Sequence, residues 1–472
     1  MATHRCIVHW LASCCLLAAI SGLDNSKGRS PPLAWSSWNW FDKHTSEEII
    51  LQTGQALIDT GLAALGFDQV NIDSGYLSGR DASGRLVVHA DRYPHGMRYV
   101  ADRLHAMDLK LGVYTDISGH TCGNGPGTGS LGHYAQDAHT FAEEWRADYV
   151  KVDFCGPSGY APCAANATDP SCVSAAAAPQ YAAFAAFRDA LNATGRPVYL
   201  SICPHRPADA DGTARPYLPG PYGVGLIYAP PAEWNAAERH ALANSLLYEY
   251  DNTNDAWDTY VKGGQRVSGI VTNIDSMIHW DAMPYVARGA WSDADMLQVC
   301  MYGAGGTPGD GMTLTEYRSH YAVWAILASP LILGVDVRGL ATAHPDCLAM
   351  LLNPDVISVN QDAAALPPRL VSQTPPLSAN SSSSSIIAQV FARPLSGGRL
   401  AVLLLNRATG TANLSVTWAE LRVPPGEERR VYDVHRRAWT GRASGELRAL
   451  VPSHDVHFVV LGAASEIAPD LQ

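Results

Sequence analysis

The sequence predicts an α/β fold, a (β/α)8 TIM barrel followed by a C-terminal antiparallel β-sandwich, from three observations. Short β-branched runs alternate with Ala/Leu/Arg-rich stretches of helical period between residues 32 and 362, which is the pattern of parallel strands covered by helices. The runs 69–73, 110–116, 148–153 and 197–203 each follow a segment such as 97–107 or 134–146, and 331–336 and 356–362 repeat the pattern. Many of these runs end in a carboxylate, namely Asp73, Asp116, Asp153, Asp336 and Asp362. In such a barrel the C-terminal strand ends converge on one face, so these acids would ring one pocket, although any single one is as well explained as a helix cap or a loop start. Third, the texture changes after Asp362. Pro367-Pro368, Pro375-Pro376 and the serine tract 381–385 read as a linker or long loop, and short β-rich runs follow at 386–392, 400–406, 412–418, 430–434 and 456–461.

Length and charge narrow the chemistry. At 472 residues and 47% hydrophobic content the chain is long enough for two domains. A net charge of -12 without a Lys/Arg-rich run argues against nucleic acid or an anionic membrane surface as partner. Residues 1–22 combine Arg5 with an apolar run and a polar exit, the pattern of a signal peptide. The division expected is therefore a signal peptide at 1–22, a catalytic barrel at 31–363 and a sandwich at 364–472. Removal of the leader takes Cys6, Cys14 and Cys15 from the 10 cysteines and leaves seven, an odd number. Sequons at Asn166, Asn192, Asn380 and Asn413 agree with a secretory route, so the expected location is secreted or lysosomal/vacuolar.

The carboxylate with the most informative surroundings is Asp153. It closes the run Tyr149-Val-Lys-Val-Asp153, and strand alternation places Lys151 on the same side. An ammonium nearby would keep the carboxylate ionised, as a nucleophile requires, while a structural Lys–Asp pair fits the same spacing. There is no Cys/His zinc spacing, no Gly-rich phosphate loop and no Gly-x-Ser-x-Gly elbow, so the sequence predicts no cofactor and no metal.

Seven motifs in order carry a resemblance. Trp35-Ser-Ser-Trp38, Val70-Asn-Ile-Asp73, Leu111-Gly-Val-Tyr114, Ser130-Leu-Gly-His133, Tyr149-Val-Lys151-Val-Asp153-Phe-Cys155, Trp291-Ser-Asp293-Ala-Asp295-Met296-Leu297 and Val359-Asn-Gln-Asp362 resemble glycoside hydrolase family 27, the family of α-galactosidases and α-N-acetylgalactosaminidases. The resemblance implies that Asp153 is the nucleophile of a retaining glycosidase. It implies that Trp38, Asp73, Tyr114, Lys151 and Asp295 contact the sugar, and that Cys122 and Cys155 form a disulfide between two active-site loops.

The second carboxylate admits two placements. Setting the family's Arg-x-x-x-Asp motif on Arg266 puts Ile270 where the acid belongs, which would leave a carbohydrate-binding relative without turnover. Reading Asn252-Thr-Asn-Asp255-Ala-Trp-Asp258 as the motif makes Asp255 the acid/base, with Asp251 in place of the family's arginine, and is the preferred placement. Double displacement then predicts a carboxyl separation of about 5 to 5.5 Å. Two departures bear on specificity: Ser74 replaces the second of the family's paired aspartates, and Pro204-His205 replaces Glu-Trp after the fifth strand. The expected substrate is a terminal α-galactoside, with α-N-acetylgalactosaminides and β-L-arabinopyranosides as alternatives; a homodimer is left open.

Overall fold

The computed structural model describes residues 25–122, 124–154, 170–203, 257, 260–262, 265–267, 269–279, 283, 286–303, 311–375 and 386–463. The expected signal peptide, Cys155, Asp251, Asp255 and the sequons at Asn166 and Asn380 lie outside the described residues, as does Pro204-His205.

The chain opens with β1 (Leu33–Ser36) and β2 (Gln69–Asn71) and a hairpin of β3 (Leu77–Arg80) and β4 (Leu86–Val88). It continues through β5 (Lys110–Asp116), β6 (Tyr149–Asp153) and β7 (Tyr199–Ile202), a second hairpin of β8 (Tyr260–Lys262) and β9 (Gln265–Val267), and β10 (Leu331–Leu333). Six of these strands form one sheet in the order β10-β1-β2-β5-β6-β7, and every pair in it is parallel. Leu297 adds a parallel bridge to Leu333 on the β10 flank. The sheet curls into a barrel: Tyr149 of β6 and Ile332 of β10, four strands apart in the order, line the same cavity together with Asp293.

Strand alternation sorts the side chains. In β6, Val150 and Val152 are fully buried in the main apolar core, whereas Tyr149 and Lys151 face the cavity. Gly112 in β5 is required by a close approach, because a Cβ there would stand 1.9 Å from Asn71 Oδ1. Helices Glu47–Asp59, Gly96–His105 and Pro170–Ala193 supply the outer layer between strands, the first of them capped by Ser46, whose Oγ accepts from the Ile49 amide at 3.3 Å.

Two expectations fail. Residues 356–362 are no strand; helix Pro354–Asn360 occupies them, started by Asn353, whose side chain accepts from the Asp355 amide, with Pro354 in the first turn. A β-branched run alone reads as strand, and the Asn-Pro start overrides it. Asp362 consequently sits at the junction with the second domain, accepting from Ser396 N and Oγ at 2.9 and 2.6 Å, and Asp336 caps the short helix Val337–Gly339. Neither joins the ring of acids. The second failure is the linker. Arg369–Thr374, between the two Pro-Pro pairs, is β11, the edge strand of the sandwich, a place where flanking prolines forfeit no ladder bonds.

The sandwich comprises β11, β12 (Ala388–Pro394), β13 (Leu400–Asn406), β14 (Ala412–Thr417), β15 (Glu428–Asp433), β16 (Ala438–Ser444), β17 (Glu446–Val451) and β18 (Val456–Ala463). A six-stranded antiparallel sheet, β11-β12-β13-β18-β15-β16, packs against the β14–β17 ladder. Its strands are buried on both faces. Val402, Leu404, Val459 and Leu461 face the sandwich's own core, and the residues that alternate with them, Leu403, Leu405, Phe458 and Val460, join the core shared with the barrel. Helix Leu314–Ile326, started by the Thr313/Glu316 capping box, is enclosed between the two and buried throughout from Tyr317 except at Arg318.

Polar contacts fasten the same interface. Arg407 and Asp275 form an ion pair at 2.7 Å with both side chains at most 2% exposed, and Gln389 Nε2 donates to the same carboxylate at 2.9 Å. Cys300 and Cys347 form a disulfide, and Cys203 is buried.

Candidate active site

The site assembles where β1, β2, β5, β6 and the segment after Trp291 end. Register fixes it: Tyr114 pairs with Lys151 and Asp116 with Asp153 across β5 and β6, so all four side chains point to the inside of the barrel.

Asp153 is 1% exposed. Its Oδ2 accepts the Tyr114 hydroxyl at 2.7 Å, and its Oδ1 accepts the Phe154 amide at 2.7 Å. Two strong donors fix the orientation of the carboxylate and favour its ionised form. Lys151 does this less directly than the spacing suggested. Its ammonium passes over the Tyr114 ring, 5.3 Å from the centroid, and lies 3.0 Å from Asp73 Oδ2. The reason is geometric: Lys151 lies level with Tyr114, two residues short of the strand tip, and β2 brings Asp73 within its reach across that ring. Asp73 is further held by Ser74 N, which donates to Oδ1 at 2.7 Å, while its own amide donates to Ser37 Oγ at 3.0 Å.

Ser74 has an occupation of its own. Its hydroxyl donates to the Cys122 carbonyl at 2.6 Å and accepts from Asn124 Nδ2 at 2.8 Å, so it clips the loop after β5 to the strand end. Cys122 is disulfide-bonded, and its Sγ lies 3.4 Å from Asp153 Oδ2; the expected partner, Cys155, lies outside the described residues. Ligand atoms of Asp116, Cys122 and Asp153 fall within 4.8 Å of one another. A disulfide sulfur is no thiolate, so this trio offers a cation only two carboxylates. Asp116 is fully buried and accepts the Ser118 amide at 2.6 Å, which anchors the same loop.

Trp38 is half-buried on the short helix after β1 and packs with Met296 and Ile332, both of which line the cavity. Trp35, three residues earlier, is the core tryptophan of the pair, with its indole N–H donating to the Val335 carbonyl. Asp295 closes the ring opposite β6. It is 3% exposed and has a φ of 75°, left-handed backbone that a residue with a Cβ seldom adopts.

Sequence reasoning singled out Asp295 and passed over its neighbour Asp293. Asp293 is 4% exposed, lines the same cavity, and accepts the Asp295 amide at 2.9 Å through Oδ1. Burial pushes its carboxyl up to about 7, the adjacent Asp295 charge adds to the rise, and the Asp295 amide and Lys151 oppose it. The signal was present in the Asp-Ala-Asp spacing, which puts two acids on one short segment. Met296 was overlooked for a different reason, since a lone apolar residue announces no chemistry.

Asp255 lies outside the described residues, but the rival placement of the acid is within reach. Ile270 begins helix Ile270–His279 and is fully buried in the main apolar core. It takes no part in the described lining of the pocket. Trp257, two residues beyond Asp255, is buried and stacks on His454 at 4.8 Å.

A parallel barrel whose strand ends gather fixed carboxylates, a phenol, an ammonium and a half-buried tryptophan in and beside one pocket has the equipment of a carbohydrate-cleaving hydrolase. Comparison with known proteins specifies which kind. The family model described as alpha galactosidase A matches residues 31–207 and 227–362, and that of the alpha galactosidase C-terminal β-sandwich domain matches residues 387–461. The chain is 32% identical over 441 residues to alpha-galactosidase 3 of Arabidopsis thaliana, covering 93% of this chain and 83% of that one. It is 31% identical to the alpha-galactosidase of Cyamopsis tetragonoloba, covering 93% and 87%. The crystal structure of alpha-galactosidase I from Mortierella vinacea superposes with a TM-score of 0.72 at 25% identity, covering 94% of this chain and all of that one. The chain belongs to the α-galactosidase family, glycoside hydrolase family 27, and is a glycoside hydrolase of the α-galactosidase type.

Proposed function

We propose that the protein is a retaining exo-α-galactosidase that releases terminal α-galactosyl residues by double displacement. Asp153 attacks the anomeric carbon; the new ester bond forms as the glycosidic C–O bond breaks, and Asp255 delivers its proton to the departing oxygen. Asp255, now ionised, takes a proton from water, which attacks the same carbon and frees Asp153. Trp38 supplies an apolar wall for the pyranose, and Asp73, Lys151 and Asp295 receive or donate hydrogen bonds to its hydroxyls. Tyr114 holds Asp153 ionised and aimed.

One observation carries this reading: a buried carboxylate at the fourth parallel strand's tip is fixed by a phenol and an amide, and the ring of that phenol carries the ammonium of Lys151, which lines the neighbouring pocket with Asp73 and Asp295. The burial of Ile270 in the apolar core speaks against the acid-less alternative. Around this centre the reading places a barrel at 31–363, a sandwich at 364–472, and a Cys122–Cys155 disulfide. A signal peptide at 1–22 and exposed sequons at Asn192 and Asn413 support passage through the secretory route, toward secretion or a lysosome or vacuole. No described helix is long and apolar enough to cross a membrane.

The test is hydrolysis of nitrophenyl glycosides. Wild type should cleave the α-galactoside with the product released first as the α-anomer by NMR, Asp153→Asn should be inactive, and Asp255→Asn should stall with the sugar attached to Asp153. Preferential cleavage of an α-N-acetylgalactosaminide or β-L-arabinopyranoside would move the specificity, while retained binding without any turnover would replace the enzyme reading by a lectin-like one.

A further inference from the structure

We infer that Asp293 is a positioning residue of this site, which presents the Asp295 carboxylate to the sugar by holding the Asp295 backbone in its left-handed conformation. The inference rests on the glycosidase reading above, because it assigns Asp295 a substrate hydroxyl.

The left-handed turn at Asp295 is strained for a residue with a Cβ, so something must over-determine it. Three hydrogen bonds do. The Asp295 amide donates to Asp293 Oδ1 at 2.9 Å, the Asp295 carbonyl accepts the Trp324 indole N–H at 2.8 Å, and Asp295 Oδ1 accepts the Met296 amide at 2.7 Å. Trp324 is fully buried and fixes the turn from the core side. Asp293 fixes it from the cavity side, since its side chain and that of Asp295 line the same pocket. The Ala294 amide between them is pinned as well, donating to Ser329 Oγ at 2.9 Å. The segment 293–296 is thus a small Asx-type clamp: the first acid closes a ring on the amide of the second, and the second is turned so that Met296 and its own carboxylate both reach the cavity.

The role requires an oxygen acceptor at position 293 and no negative charge. Burial supplies the same conclusion independently, since it pushes the Asp293 carboxyl up to about 7 and so favours a neutral acid, which still accepts from the Asp295 amide. An asparagine keeps an acceptor oxygen at this point; an alanine removes it.

The experiment is a double-mutant cycle on the full-length enzyme with nitrophenyl α-galactoside. Asp293→Ala should lower kcat/KM on the order of tenfold to a hundredfold, the loss expected when one oriented sugar contact goes. Asp293→Asn should recover most of that loss. In an Asp295→Ala background the Asp293→Ala change should cost less than about threefold, because the carboxylate it positions is already gone. Melting temperatures separate misfolding from misplacement, and galactose binding by calorimetry gives the same comparison if Asp293→Ala unfolds during assay. Equal losses in Asp293→Asn and Asp293→Ala, or an undiminished Asp293→Ala loss in the Asp295→Ala background, would overturn the assignment. A wild type that binds and cleaves no galactoside would instead overturn the glycosidase reading on which it stands.

Discussion

Replacing Asp293 by asparagine should stabilise the protein at neutral pH, with an effect that disappears in acid. The native carboxyl is raised from 3.8 to about 7, chiefly by burial and then by Asp295. For a group whose folded pKa lies above its unfolded one, the native state binds the proton more tightly, so its contribution is complete below pH 4 and is lost as pH rises toward 7. Each pKa unit corresponds to about 1.4 kcal/mol, and the interval from 3.8 to about 7 therefore corresponds to roughly 4 kcal/mol, accumulated between pH 4 and 7. The asparagine variant, with no proton to exchange at this position, carries no such dependence. Urea melts of wild type and Asp293→Asn at pH 4, 5.5 and 7.5 should show the stability difference growing in favour of the variant by a few kcal/mol. A difference independent of pH, or one that grows toward acid, would refute the claim that this carboxyl is penalised by burial.

Further outcomes follow from other contacts. Tyr114→Phe removes the hydroxyl that Asp153 Oδ2 accepts at 2.7 Å, and should lower kcat/KM by about 1.5–3 kcal/mol in steady-state kinetics, with KM changing less than kcat. Arg407→Ala leaves Asp275 buried and unpaired at the barrel–sandwich interface and should cost about 3–5 kcal/mol in chemical denaturation; the Arg407→Leu/Asp275→Leu double variant should recover much of it. The Cys300–Cys347 disulfide closes a separation of 47 residues, so Cys347→Ala should cost about 4 kcal/mol on the chain-entropy estimate, read as a lower denaturation midpoint.

How much of this was legible in the sequence varied with the kind of signal. Parallel strands buried on both faces announce themselves as β-branched runs, and β5, β6 and β13 lie within a residue of where the runs stand. The run at 356–362 misled because burial on a helix also selects Val and Ile, and only the Asn353-Pro354 start distinguished the two. β11, β16 and β17 escaped notice because edge and solvent-facing strands carry Arg, Gly and Ser, which read as turn or linker. Of the expected site residues, Asp73, Lys151 and Asp295 line one pocket, and Tyr114 links Asp153 to Lys151. Their pairing was not legible. Register across three strands decides that the Tyr114 hydroxyl reaches Asp153 while the Lys151 ammonium reaches Asp73, and a register is set by contacts between segments some 40 residues apart in the chain.

That pairing has a consequence for the proposed mechanism. Had Lys151 stood in place of Tyr114 at the Asp153 carboxylate, a full positive charge would sit against the nucleophile and would have to be overcome as its carboxylate charge passes to the glycosyl ester. A phenol donor stabilises the anion by a hydrogen bond that weakens smoothly as the charge departs, at a smaller electrostatic penalty. The ammonium is moved one strand over, where Asp73 balances it and both can bind hydroxyls whose charge does not change during the reaction. In the proposed mechanism the barrel's strand register thus separates the group that reacts from the pair that recognises, and Gly112 keeps that register open by leaving room for Asn71 between β2 and β5. Gly112→Ala, which would bring a methyl group to 1.9 Å from Asn71 Oδ1, should therefore impair sugar binding and turnover together, measured as a joint rise in KM and fall in kcat; an unchanged kcat/KM would show that the floor of the site can shift without disturbing either group.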